Sequence, residues 1–283
     1  MRDVDSFALN RANWDERAPA HAASAGYGVQ RFIDDPAALS DVVRFDRPRL
    51  GDIAGRRGVH LQCHIGTDTI SLARLGARMT GLDFSPAALV EARRLAASAG
   101  ADVDFVESDV YGAPDVLGRE AFDLVYTGIG ALIWLPDIRR WAETVAALLR
   151  PGGRLFVREG HPMLFTIDET VTDALVVRYP YVETVEPLVF DEDTTYVETT
   201  HLITNTTTHE WNHGLGEVVT ALLEVGMRLT MLVEHDSVPW MALPEQMRLG
   251  EDGEWRLVDR PERLPLTYTL QALKLPRSIH VDG

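Results

Sequence analysis

The chain has 283 residues, a formal net charge of −16 and a single cysteine, with 46% hydrophobic and 25% charged residues. That is an ordinary soluble composition; no apolar run reaches membrane-span length, and one cysteine excludes an internal disulfide and fits a reducing, cytoplasmic setting. Lys274 is the only lysine, and so acidic a surface disfavours DNA or RNA, whose phosphates are neutralised by lysine and arginine. The opening Met1-Arg-Asp-Val-Asp-Ser-Phe places acids where a secretory signal needs a basic and then an apolar stretch.

Residues Asn10 to Ala25 read as a helix interrupted at Pro19, and Asp35 to Phe45 as a second helix. Asp46 to Arg57 is a Pro/Gly/Arg-rich lead into Val59 to Cys63, a short run of buried-strand length between Gly58 and Gly66. Ile70, Leu72, Ala73 and Leu75 then fall near helical spacing before Gly76, and Met79 to Leu82 is a second strand ending in Asp83. This βαβ unit must be right-handed, and it brings both strand C-termini to one rim, where open parallel sheets bind ligands. Asp83 stands where a carboxylate can accept both hydroxyls of a ribose.

Pro86 suits a first helical turn, Ala87 to Ala99 is a helix, and Val103 to Glu107 is a strand leading to Ser108-Asp109-Val110. Phe122 to Tyr126 is the fourth strand, and Thr127-Gly128-Ile-Gly130 is a small-residue loop on the same rim. A helix ending at Leu149 follows Leu135-Pro-Asp137, and the turn Pro151-Gly-Gly153 delivers a fifth strand, Arg154 to Arg158, ahead of Glu159-Gly-His161-Pro162. Met163 to Thr208 is rich in β-branched and aromatic residues and reads as an inserted hairpin or small sheet. Gly214 to Val225 is a helix, Arg228 to Val233 and Leu266 to Leu273 are the sixth and seventh strands, and a long loop carries Trp240 and Trp255.

The run from Gly58 to Gly66, Gly81-Leu-Asp-Phe-Ser85, Phe122-Asp-Leu-Val-Tyr126 and Arg150-Pro-Gly-Gly-Arg-Leu-Phe156 resemble a class I S-adenosylmethionine-dependent methyltransferase. The match is partial at the loop: His60 takes the place of the family's acid, Gln62 and His64 take two glycine places, and Gly66 alone survives. The resemblance implies a doubly wound, mostly parallel seven-stranded α/β sheet of the Rossmann-like methyltransferase type, with an N-terminal helical lid and a β insertion after the fifth strand. It divides the chain into a lid and lead-in (1–57), a cofactor-binding core (58–162), the insertion roofing the acceptor (163–208) and the remainder of the core (209–283). It also implies S-adenosyl-L-methionine as cofactor, held by Cys63, His64, Gly66, Asp83, Phe84, Ser85, Val110, Thr127 and Gly128, with Asp109 on the adenine amine. Trp14 and Arg17, about one helical turn apart, face the ligand if the lid closes over it; otherwise Trp14 only anchors the first helix to the core.

Methyl transfer is an in-line displacement whose barrier falls mainly through alignment, and a base is needed only for an acceptor that keeps its proton. His161, which follows the fifth strand, is the candidate base, with His209 and His213 behind it and Glu159 and Glu210 as possible partners; each histidine could equally satisfy buried backbone groups. Trp14, Tyr181, Trp211, His213 and Trp240 are candidate contacts for a small-molecule acceptor, methylated at O or N. His209-Glu-Trp-Asn-His213 fits a zinc-protease pattern, but a strand-like run precedes it and Gly214 follows, so no metal is expected. A nicotinamide oxidoreductase needs the missing glycines more, because its ligand carries phosphates. A non-catalytic binding protein on the same scaffold stays open, as does a homodimer.

Overall fold

Four of the five residues of β1 (Arg57–Leu61) are buried, and Val59 and Leu61 point into one apolar layer while His60 faces the other side of the sheet. The computed structural model describes residues 5–276. Three helices precede β1: α1 (Ser6–Ala23), α2 (Val29–Asp34) and α3 (Asp41–Leu50). There follow α4 (Thr67–Arg74), β2 (Arg78–Asp83), α5 (Pro86–Ser98), β3 (Asp104–Glu107), α6 (Ala113–Leu117), β4 (Phe122–Thr127), α7 (Ile138–Leu148) and β5 (Leu149–Gly160). The remainder is β6 (Leu188–Asp191), β7 (Thr207–Glu210), α8 (Leu215–Glu224), β8 (Met227–His235), β9 (Met247–Leu249), β10 (Trp255–Leu257) and β11 (Thr267–Lys274).

Seven strands form one sheet in the order β3-β2-β1-β4-β5-β11-β8. The first five run parallel, and β11 is antiparallel to both β5 and β8. The chain winds outward from β1 through β2 and β3, then crosses back to β4, so the order reverses between β1 and β4; ligand crevices of open α/β sheets form at such a reversal. This is the doubly wound, mostly parallel seven-stranded sheet that the sequence implies. On one face Val59, Leu61, Val125 and Leu155 pack with Trp141, Val145, Val218 and Leu222 of α7 and α8. On the other, Leu124, Tyr126 and Phe156 meet Val43, Leu50 and Leu72 of α3 and α4.

Local chemistry sets the helix starts. Ser85 accepts from the Ala88 amide to cap α5, whose first residue is Pro86, and Asp137 accepts from the Arg139 and Arg140 amides to cap α7. Two expectations fail and a third holds in part. Helix α1 runs through Pro19 without a break, held by its packing against α5 and β7. The expected second helix starts only at Asp41, where Ser40 caps it, and runs on to Leu50, while α2 forms earlier and ends before Pro36. The insertion is mostly irregular, its only ladder being β6 paired with β7. Among the described residues no helix is long and apolar enough to cross a membrane.

A polar network lies within the second layer. Arg158, fully buried, donates to Glu254 Oε2 at 2.7 Å and lies 3.6 Å from the centroid of the Phe45 ring, while its Nε and Nη1 have no partner. Asp46 accepts from the Tyr126 hydroxyl at 2.6 Å, and burial pushes its carboxyl up to about 7 against the pull of Arg158. Glu254→Ala, which strands the Arg158 charge, is expected to cost roughly 3 kcal/mol in urea unfolding, more than the apolar pair R158M/E254M. Equal losses from the two proteins would refute that account.

Candidate functional site

The loop leaving β1 has a left-handed backbone at every second residue: φ is +57° at Gln62, +49° at His64 and +79° at Gly66. Only Gly66 is a residue for which this is free, and a side chain there would also strike Phe105 and Ala92, at about 3 Å. Two L residues therefore keep a glycine-type loop, and each is tied down. The Gln62 side chain donates to the Ala131 carbonyl at 2.8 Å, and the His64 amide donates to Asp83 Oδ2 at 2.8 Å. The Gln62 side chain thus joins this loop to the second rim loop, and the His64 ring turns to His21 of α1. Cys63 is buried among these residues, and burial pushes its thiol well above the ordinary range; it packs and does not react.

Asp83 ends β2 at the rim. Its Oδ1 accepts from the Ser85 amide at 2.9 Å, and burial raises its carboxyl to about 6 despite these bonds. Phe84 follows, half-buried, and Ser85 donates through Oγ to Asp15 of α1, which also accepts from the Ala87 amide. Helix α1 thus lies across the Asp83 turn. Its other side is fastened to residues 204–209: Asn13 donates to the Asn205 carbonyl, Asn10 exchanges two bonds with the His209 backbone, and Glu16 accepts from the Thr204 and Asn205 amides. Between these fastenings Trp14 sits edge-on between His64 (5.1 Å) and Trp134 (5.2 Å). His21 shares a hydrogen bond with His64 at 2.9 Å, and burial holds the two rings down at about 2 and about 3, so both stay neutral. Arg17 is buried beside Trp14, 5.6 Å from its ring, with Nε unpartnered.

The segment after β4 is shaped by a buried acid. Glu159 accepts from the amides of Gly130, Ala131 and Leu132, fixing the turn that carries Trp134. At Gly128 a Cβ would lie 3.2 Å from His60 Nε2 and 3.5 Å from Asp68 Oδ2, so the glycine keeps space open in front of both. Burial holds the His60 ring at about 3 and raises Asp68 to about 6. Thr127 Oγ1 and Gln62 Oε1 are buried without a partner. Asp109 is exposed at the end of β3, its carboxylate bonded to the Gly112 amide, whereas the Val110 side chain belongs to the core.

A cavity of about 210 Å³ lies against Ile133, between this segment and the insertion, and Trp211 and Trp240 line it. Trp211 is anchored by its amide on the Ile133 carbonyl. The other acceptor-side candidates go elsewhere. Tyr181 accepts from the Leu215 amide at the start of α8. His213 bonds Glu183 and the carbonyls of Leu132 and Leu135, because its segment folds under the turn rather than over it. His161, placed as a base by the sequence, has both nitrogens engaged, with Glu234 and with the Met163 amide, so it closes the sheet edge instead. His209 lies on β7 with Nδ1 on Ser6, and His213 precedes α8, so the two share no helix face. A larger cavity of about 430 Å³, between the end of α1 and α5, shares only Ile65 with this region.

Residues 59–155 match the family model described as a methyltransferase domain. A ubiquinone biosynthesis O-methyltransferase from Methylobacterium sp. (strain 4-46) is 33% identical over 159 residues, which is 55% of this chain and 61% of that protein, so the chain covers less than two thirds of that relative. Over residues 59–155 the chain is thus similar to methyltransferases. An S-adenosylmethionine-dependent methyltransferase from Mesorhizobium loti shares the fold at a TM-score of 0.56 and 22% identity, covering 83% of this chain and 98% of its own. A geranyl diphosphate C-methyltransferase from Streptomyces coelicolor A3(2) does so at 0.53 and 14%, covering 82% and 78%.

The carboxylates of Asp83 and Asp109 end adjacent strands, and buried atoms of Gln62, Thr127 and Arg17 lack partners. Sequence reasoning passed over Asp68, His21 and Asp15; a stripe of polar residues at helical spacing in α1 was the one signal for the last two. Because Gln62 is held at positive φ, Gln62→Gly is expected to be more stable than Gln62→Ala by roughly 1 kcal/mol, both having lost the bond to Ala131. Thermal unfolding of the two variants checks it, and an Ala variant as stable as the Gly variant would show a relaxed loop.

Proposed function

We propose that this protein transfers a methyl group from S-adenosylmethionine to a small-molecule acceptor seated in the cavity beside Ile133. The observation that carries the reading is the Asp83 carboxylate, fixed at the end of β2 by the amide of a residue in the left-handed loop. In this reading Asp83 accepts the ribose hydroxyls and Asp109 the adenine amine. Thr127, Gly128 and the His64–Gly66 backbone border the methionine part. His60 carries no charge to hold the donor's ammonium, and Asp68, facing Gly128 from α4, supplies that carboxylate instead. Arg17, buried and short of a partner, receives the methionine carboxylate, with Trp14 covering the sulfonium by a cation–π contact. Residues 163–208 form the roof, α1 the lid, and the buried free thiol suits a reducing compartment.

With the donor held so, the protein's contribution is alignment of the acceptor and exclusion of water. Asp83→Asn replaces a charge-assisted acceptor worth roughly 1.5–3 kcal/mol and is expected to weaken S-adenosylhomocysteine binding by roughly 10- to 100-fold in calorimetry. The pH sign follows from burial. Asp83 and Asp68, both raised to about 6, take up protons as pH falls through that value and lose acceptor strength. Wild-type affinity should therefore decline between pH 7.5 and pH 5 (~2.5 units spanning both transitions), whereas the double variant D68N/D83N should be nearly flat. Unaltered affinity in Asp83→Asn would reject the reading.

A further inference from the structure

The cavity that this reading assigns to the acceptor has a one-sided chemistry. Phe165, Tyr179, Phe190, Trp211 and Trp240 give it aromatic walls from the insertion and from the long loop after β8. Glu169, Glu192 and Glu210 are its charged lining, and no lysine, arginine or histidine lines it. Two cations lie nearby: Arg17 of α1, whose charge acts on Glu210 and Glu192, and Arg178, which pairs with Asp168 and whose charge acts on Glu169. If Arg17 is committed to the donor's carboxylate, as proposed above, Glu192 and Glu210 are left beside the aromatic walls without a counter-charge, and Arg178 is already paired with Asp168. We propose that the acceptor is a cationic amine, its ammonium held among Glu169, Glu192 and Glu210 and its apolar body against the aromatic walls, and that methylation falls on that nitrogen.

Three features support this class over an anionic or neutral one. Aromatic faces attract cations, and more strongly where water is excluded. An anionic acceptor would be brought beside three like charges, which repel it. The overall charge of −16 raises the local concentration of cations at the protein surface. The volume limits size as well: about 210 Å³ is below the roughly 300–1,000 Å³ of ordinary ligand pockets, which suits one or two fused rings.

Glu210 is also suited to the proton step. It lies on β7, accepts from Thr208 Oγ1 at 3.3 Å, and burial raises its carboxyl to about 7, the range in which a carboxylate works as a base at neutral pH. The ammonium gives one proton to the Glu210 carboxylate. The freed nitrogen lone pair forms the N–C bond to the methyl group as the C–S bond breaks, and that electron pair stays on sulfur. The products are a methylated ammonium, the neutral thioether and protonated Glu210, which returns its proton to solvent.

This inference rests on the methyl-transfer reading, and the test separates the two. Calorimetry on the full chain would first measure S-adenosylhomocysteine alone. The saturated protein would then be titrated with tryptamine, tryptophol and indole-3-propionate, which share one ring system and differ in charge. Tryptamine is expected to bind at least about tenfold tighter than indole-3-propionate, the scale of one desolvated cation–aromatic contact. Glu210→Gln is expected to remove about tenfold of that affinity, and Glu192→Gln a smaller factor. Neither should change S-adenosylhomocysteine binding. Carboxylate binding as tight as the amine, no saturable amine binding up to about 10 mM, or undiminished amine affinity in both variants would overturn the acceptor assignment alone. A wild-type protein that fails to bind S-adenosylhomocysteine would overturn the methyl-transfer reading beneath it.

Discussion

The site depends on one backbone constraint, the left-handed conformation repeated at Gln62, His64 and Gly66. At the first two it is strained, each at a cost of order 1–3 kcal/mol. The His64 amide reaches the Asp83 carboxylate only because the loop is wound this way, and a hydrogen bond to a charged group returns a comparable roughly 1.5–3 kcal/mol. The Gln62 amide group adds a bond to the Ala131 carbonyl, joining the first loop of the rim to the second. That second loop is fixed in turn by three amides on the Glu159 carboxylate. Strand ends, loops and acids are therefore coupled, and straightening residue 62 or 64 would release Asp83 and the turn before Trp134 together.

Helix α1 follows a different logic. A helix covering a core normally buries an apolar stripe; α1 buries Asn10, Asn13, Arg17 and His21 along with alanines. It is held by side-chain hydrogen bonds to residues 204–209 on one side and to the Asp83 turn on the other. Glu16 makes so many of these that its carboxyl is pulled down to about 2, with the Thr204 hydroxyl bond the largest cause. Each such bond contributes on the order of 1 kcal/mol net, because water offers a substitute. A cover fastened in this way is cheaper to lift than one sealed by leucines, and each latch specifies where it settles again. The aromatic group of Trp14, Trp134, Tyr27 and His64 then closes the space beneath it.

What the sequence revealed follows from what is local. The β1–α4–β2 unit, the helix start at Pro86 and the Arg150–Phe156 turn and strand are short-range patterns, and the sheet they predict is the sheet that forms. Asp83 and Asp109 were legible for the same reason: each ends a strand on the rim. The acceptor side was not, because residues 163–208 adopt little regular structure and their period carries no register. Tyr181 and His213 have the right chemistry for a pocket wall, but long-range partners, the Leu215 amide and Glu183, draw them away. His161 lost its expected role to Glu234, a residue of β8 that only the antiparallel edge of the sheet brings within reach. Gln62 and His64 were visible as departures from a glycine pattern, yet their positive φ could not be inferred from residues that ordinarily avoid it.

The buried ionisable groups show why such a site is least comfortable when empty. Asp46, Asp68, Asp83 and Glu210 have folded values raised to between about 6 and about 7, so the folded chain binds protons that the unfolded chain has released, and stability falls as pH rises through that window. His21, His60 and His64 are depressed to about 2 or 3, so the unfolded chain takes up protons the folded one refuses, and stability falls as pH drops below the ordinary histidine value. The two sets oppose each other across the weakly acidic range, leaving the carboxylates as the uncompensated cost at neutral pH. Of those four, Asp68, Asp83 and Glu210 line the proposed donor and acceptor positions, and the pull of Arg158 on Asp68 and of Arg17 on Glu210 does not offset their burial. A ligand that brings positive charge and hydroxyl donors removes the penalty that burial imposes on these three. Binding energy is thus stored in the protein as acidity that its own cations do not fully offset.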